Sequence, residues 1–300
     1  MGQPALAAPP NFECIKASMR KYSLAYLTSS TCTAAGALRL AARTGYEFVG
    51  LRPLANTPGG QVQTLIDAPA ELAEVLAVLR DSAVQILDLE IIRIGPDFQL
   101  DDYSALFDLG AKLGAKAILV AGDDTDRTRL SDAYARLCEA MAPIEMTADL
   151  EFMPWTGVSD ANAALDVVCR AGSPGNAGIL IDALHVDRSN TSLADLRNIP
   201  PELLHYAQIC DATSPRKSLT RLSAEEMIHT AREARLHAGE GEIDLRGIFR
   251  SLPESMVISV EVPHAQRLPT RGQTAWAEEA LAAAKACLEG EDSNTASLTE

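Results

Sequence analysis

The chain alternates between two textures. Short runs that are apolar almost throughout recur at 22–28, 48–54, 84–94, 116–122, 147–153, 178–184, 205–212 and 256–263. Between them, apolar residues return at i, i+3, i+4 and i+7, the period of a helix with one buried face. The clearest of these stretches are 34–45, 69–81, 103–114, 127–141 and 161–172, followed by 192–199, 223–235 and a closing 274–290. Thr33, Ser159 and Ser223 stand before the first, fifth and seventh of them. Each offers a side-chain oxygen to the free N–H groups of a first helical turn.

Strict alternation of strand and helix forces parallel strands, and strands without a polar face fit a sheet covered by helices. Eight such units in 300 residues predict an α/β fold, a single (β/α)8 barrel with outer helices over 22–290. An open dinucleotide-binding sheet needs a GxGxxG turn after its first strand, where this chain has TSSTCTAAG. Residues 1–21 read as an N-terminal extension and the polar stretch 291–300 as a disordered tail.

Composition narrows the setting. Hydrophobic residues make up 47% of the chain, enough for a large core. No run of 18 apolar residues is present, so no membrane association is expected. The N-terminus has no basic segment before an apolar one, which argues against a signal peptide. The six cysteines are widely spaced with no CxxC pair, which points to reduced thiols in a cytoplasm. Cys138, Cys169 and Cys287 fall in helical patterns and read as small core residues. The net charge of −15 repels phosphate backbones, so no nucleic-acid partner is expected.

Candidate chemistry gathers at the ends of the last four strand candidates. LEFMPW, ILIDALH, YAQICDA and ISVEVP place Glu151, Asp182, Gln208 and Glu261 there. In a barrel of this kind the strands' C-terminal ends form one rim, where reactive groups collect. All four side chains offer oxygen, which suits one hard divalent cation, Mn²⁺ or Mg²⁺ before Co²⁺ or Zn²⁺. His185 and Asp211 each follow a donor by three residues and qualify as orienting partners. Arg52, Glu90 and Trp155 lie at the same level. The ARLHAGEGEIDL loop offers Arg235 or His237 on one side of a glycine turn and Glu240 on the other.

GYEFVGLR, LGAKAILVAG, LEFMPW, ILIDALHVDRS, YAQICDA, HAGEGEIDL and ISVEVP, in that order, resemble the xylose isomerase-like TIM barrels, the superfamily of sugar isomerases and epimerases that includes AP-endonuclease relatives. The resemblance implies that Glu151, Asp182, Gln208 and Glu261 bind one divalent metal. It implies an isomerase or epimerase acting on a sugar or related polyol ketone through an enediolate, with Glu151 and Glu261 as the acid/base pair. Places near the strand ends and in the loop make His185 a further catalytic candidate and Arg52, Glu90, Trp155, Arg235 and Glu240 candidate substrate contacts. Many epimerases of the family have His where this chain has Gln208. Gln there is similar to the dehydratase branch, so a metal-dependent lyase acting by dehydration is the alternative. Members are often dimers or tetramers, so a homo-oligomer accords with the resemblance.

Overall fold

The computed structural model describes residues 20–56, 60–218 and 221–290. The predicted tail over 291–300 lies outside these residues, as does the N-terminal extension up to residue 19. Eight parallel strands close on themselves in chain order: β1 Tyr22–Leu24, β2 Phe48–Leu51, β3 Gln85–Ile94, β4 Ala117–Gly122, β5 Thr147–Glu151, β6 Ala177–Asp182, β7 Tyr206–Ile209 and β8 Val257–Val260. β8 pairs with β1 and completes the ring. The longer helices are α1 Ala34–Thr44, α2 Pro69–Asp81, α3 Ser104–Leu113, α4 Arg127–Met141 and α5 Ala161–Arg170. There follow the short helices α6 Ala183–Arg188, α7 Leu193–Asn198 and α8 Pro215–Ser218, a ten-residue α9 Ala224–Glu233, the short α10 Leu245–Arg250 and α11 Arg267–Arg271, and a long α12 Gln273–Glu289.

The strand runs are apolar because both faces are buried. Leu24, Val49, Ile118, Leu150, Ile181, Ile209 and Val260 point outward and join the layer under the helices. Phe48, Leu87, Ala117, Leu119, Leu180 and Tyr206 point inward and fill the barrel. Side chains alternate along a strand, so Glu151, Asp182 and Gln208 share inward parity with Asp149, Leu180 and Tyr206. Asp182 pairs with Gln208 across β6–β7, and Gln208 pairs with Ser259 across β7–β8. The polar rim thus lies one inward layer above Asp149, Leu180 and Tyr206.

A second polar layer lies below. The His205 ring nitrogen sits 2.8 Å from Asp149, and Tyr206 donates to Asp88 at 3.1 Å. β6 can approach this pair only as glycine. A Cβ on Gly178 would lie 2.2 Å from Asp149 Oδ1 and 2.5 Å from His205 Nδ1.

Several expectations change. β1 stops at Leu24 and the chain turns into a 3₁₀ segment at Tyr26–Ser29. The strand runs read long because the loops at the barrel mouth are themselves buried, as Phe152, Cys210 and Val262 show. The N-cap of α5 is Asp160, which accepts from Ala163 N–H at 2.9 Å, and not Ser159. Thr33 and Ser223 cap as expected, Ser223 in a reciprocal box with Glu226. Cys138 is buried and Cys287 half-buried, but Cys169 is exposed. Among the described residues, no helix is long and apolar enough to cross a membrane.

Candidate active site and metal centre

Glu151, Asp182, Gln208 and Glu261 all sit on the C-terminal rim, each 5% exposed or less. Asp182 ends β6 and also caps α6, its Oδ1 accepting from Leu184 N–H at 2.7 Å. This double role fixes the carboxylate and sends Oδ2 inward. One turn later α6 presents His185, whose Nε2 lies 3.5 Å from Glu151 and 3.8 Å from Asp182 Oδ2. Ligand atoms of Glu151, Asp182 and His185 all fall within 4.8 Å of one another, close enough to share one ion. The Trp155 ring meets His185 edge-on at 5.1 Å and walls that side.

Arg235 enters from the opposite side. It is 2% exposed, and its two arms reach Asp182 Oδ2 at 2.6 Å and Glu261 Oε2 at 2.9 Å. Its Nε donates to Ala231 O at the end of α9. Across the mouth, Arg52 holds Glu90 through Nε and Nη2, at 3.1 and 2.5 Å, and lies over the Tyr26 ring. A cavity of about 50 Å³ separates the two sides, with Arg52, Glu90, Glu151, Trp155, His185, Arg235 and Glu261 in its wall.

The charges do not balance locally. Asp182 and Glu261 share the guanidinium of Arg235, and Glu151 makes no ion pair with an arginine among the described residues. Two negative charges remain when all three carboxylates are ionised. The surplus appears as proton affinity. Burial, then the charges of Asp182 and Glu261, hold Glu151 well above the usual carboxylate range. Burial pushes Glu261 up to about 8, against the pull of Arg235 and with the push of Glu90. Asp182 ends up lowered, because Arg235 and His185 outweigh its burial. Burial brings His185 down to about 4, so its imidazole is neutral at ordinary pH.

Gln208 is 1% exposed, yet neither atom of its amide has a hydrogen-bond partner. An unpaired buried amide costs about 1–3 kcal/mol, and buried polar groups are normally satisfied. A neighbouring cation would satisfy its carbonyl oxygen. Orphaned Gln208, the Glu151–Asp182–His185 cluster and a surplus of two charges together fit a divalent ion. Glu151, Asp182 and His185 lie close enough to share it, and Gln208 and Glu261 on the same rim would be further donors.

Of the residues expected at the site, Glu240 lies elsewhere. It pairs with Arg267 at 2.6 Å, because the glycine turn after His237 carries it to the outer side. His237 also faces away, against Trp276 at 4.2 Å. Asp211 does not touch Gln208. Its carboxylate accepts from the backbone of Ala212, Gly239 and Ile243 and braces that loop. Arg93 lines the cavity unexpectedly and is held by Asp123 and Asn56. Simple alternation from Glu90 points Ile92 inward. A register shift between Leu89 and Ile92 instead turns Ile91 and Arg93 to the cavity. The polar break in LDLEIIRI was the available signal.

The sequence matches the model of one protein family, the xylose isomerase-like TIM barrel, over residues 38–287. The chain belongs to that family. No curated protein matches it significantly. Solved structures extend the likeness in fold. A crystal structure of IOLI protein with a zinc atom has TM-score 0.75 at 17% identity, covering 91% of this chain and 99% of that one. The probable 3-DHS dehydratase AsbF from Bacillus anthracis has TM-score 0.69 at 18% identity, with 87% and 98% covered. D-allulose 3-epimerase from Methylomonas sp., in complex with D-allulose, has TM-score 0.63 at 16% identity, with 89% and 96% covered. At these identities this xylose isomerase-like barrel shares their fold, and its chemistry must be argued from its own rim.

Proposed function

We propose that this protein is a divalent-metal-dependent isomerase or epimerase of a sugar or related polyol ketone. The observation that carries the reading is the pair Glu151 and Glu261, two buried carboxylates that line one cavity from separate strands, β5 and the end of β8. One takes a proton from carbon beside a carbonyl and the other returns one. When bound, the cation supplies Lewis-acid stabilisation of the negative charge that grows on the substrate oxygens.

The remaining residues bind and orient. Neutral His185 offers a ring N–H to a substrate oxygen. Arg235 supplies a positive charge beside Glu261. Arg52, clamped between Glu90 and Tyr26, fixes the far wall. Trp155 gives an apolar face against which a sugar ring can stack. Return of the proton to the same carbon gives epimerisation, and return to its neighbour gives aldose–ketose isomerisation.

Gln208 favours a second reading. The same proton abstraction followed by loss of a β-hydroxyl is dehydration, and in the dehydratase branch of the family Gln stands where many epimerases have His. Incubation of the metal-loaded protein with ketoses and keto-cyclitols in deuterium oxide separates the two. Deuterium uptake without loss of water supports isomerase or epimerase. A new conjugated-enone absorbance supports the lyase. Neither signal with any member of the panel would sink both.

A further inference from the structure

The oxygen of Asp182 that faces the ligand cluster is already bonded. Oδ1 is turned away to the Leu184 N–H, so Oδ2 is the atom left for an ion. That atom accepts from Arg235 Nη1 at 2.6 Å and is also the one 3.8 Å from His185. The other arm of the same guanidinium holds Glu261 at 2.9 Å. Arg235 therefore spans two of the carboxylates a cation would draw together and supplies part of the charge it would supply. Of the remaining donors, Glu151 and Gln208, only Glu151 carries negative charge.

We propose that Arg235 is the resident counter-ion of this site and competes with the divalent metal for Asp182 and Glu261. Two cations on the same oxygens repel each other strongly where water is excluded. Metal uptake then requires the guanidinium to give up at least one carboxylate. Its base cannot follow. Arg235 N–H donates to Pro263 O, Leu236 pairs with Asp211, and Ala234 pairs with His264, so the backbone is tied to the ends of β7 and β8. Only the outer side chain can re-aim, and the cavity it already lines is the open direction. Metal binding and the turning of a charged arm toward the substrate space become one event.

An arginine that merely orients the ligands makes the opposite prediction. Removing such an orienting partner typically weakens metal binding about 10- to 100-fold. Removing a competitor tightens it.

The proposal rests on the metal-dependent reading above, and the test separates the two. Mn²⁺ binding is measured by calorimetry and by electron paramagnetic resonance for the wild type, Arg235→Met and Arg235→Lys. Arg235→Met should bind Mn²⁺ at least about tenfold more tightly, with Arg235→Lys between it and the wild type. Equal or weaker binding by Arg235→Met overturns the competition and leaves the metal site standing. Binding to none of the three overturns both. Should Arg235→Met fail to fold, the wild type still decides. In protein with ¹⁵N-labelled arginine, Zn²⁺ should shift the guanidinium resonances of buried Arg235 while those of Arg52 stay in place. Arg235 resonances that do not move on saturation with Zn²⁺ contradict the proposal.

Discussion

The two halves of the barrel rim carry similar residues to opposite ends. On the half built by β2–β4, three acidic groups each face an arginine: Glu90 has Arg52, Asp123 has Arg93 and Asp124 has Arg129. On the half built by β5–β8, Asp182 and Glu261 divide one guanidinium, Glu151 faces only His185, and neither amide atom of Gln208 has a hydrogen-bond partner. Net charge over the whole chain would not reveal this. Local pairing does, and it separates acidic residues that hold the molecule together from those kept ready for something else. The first half pairs its rim carboxylates with arginines. The second leaves carboxylate charge and the Gln208 amide unmatched.

The largest effect should come from the unbalanced half. Glu151→Gln and Glu261→Gln should each lower turnover by about 10²–10⁴-fold while the melting transition stays sharp, as expected for removal of an acid or base. Full activity in both variants would remove the catalytic assignment. The balanced half should answer in stability instead. Arg52→Met strands Glu90 as a buried unpaired charge, so unfolding by urea should show a loss of about 3–5 kcal/mol with little change in metal affinity. A large drop in affinity there would blur the division between the halves.

Gln208→Leu sharpens it further. Metal binding should weaken about 10- to 100-fold. The metal-free protein should melt at the same temperature or higher, because an unsatisfied buried amide has gone. Loss of stability together with affinity would mean that Gln208 is structural.

The smallest effect lies beneath the rim, at the Asp149–His205 pair. Burial pulls the His205 imidazolium down, and the hydrogen bond and charge of Asp149 more than offset it, leaving the folded-state value raised. Its proton therefore stabilises the fold fully below the unfolded histidine value of about 6.5. The contribution is lost as pH rises through the raised value. Denaturation midpoints of the wild type should decline over that window, and His205→Gln should flatten the decline. An unchanged slope would show that the pair carries no linked proton.

Much of this was legible from residue spacing. Eight strand and helix units, the closed parallel ring and the placing of Glu151, Asp182 and Gln208 at strand ends follow from apolar runs, the 3.6 period between them and strict alternation. Strand ends were not legible, since Ala25, Phe152 and Cys210 are as apolar as the strands they follow and are buried too. Helix α6 escaped notice because six residues span under two turns, too few for a period to show, and because its cap is also the last residue of β6.

Glu240 and Arg235 show where local pattern stops. They stand five residues apart in one loop, yet one meets Arg267 outside and the other fills the centre of the rim. Which side of a turn faces inward depends on what the turn is tied to. Here the ties are Asp211 and Pro263, distant in sequence. The sequence by itself determined the barrel and the supply of oxygen donors, because both rest on short-range periodicity and residue type. Only the tertiary structure decided that Arg235 bridges Asp182 and Glu261 and that Gln208 is left unpaired, because charge balance is a property of neighbours that chain order does not name.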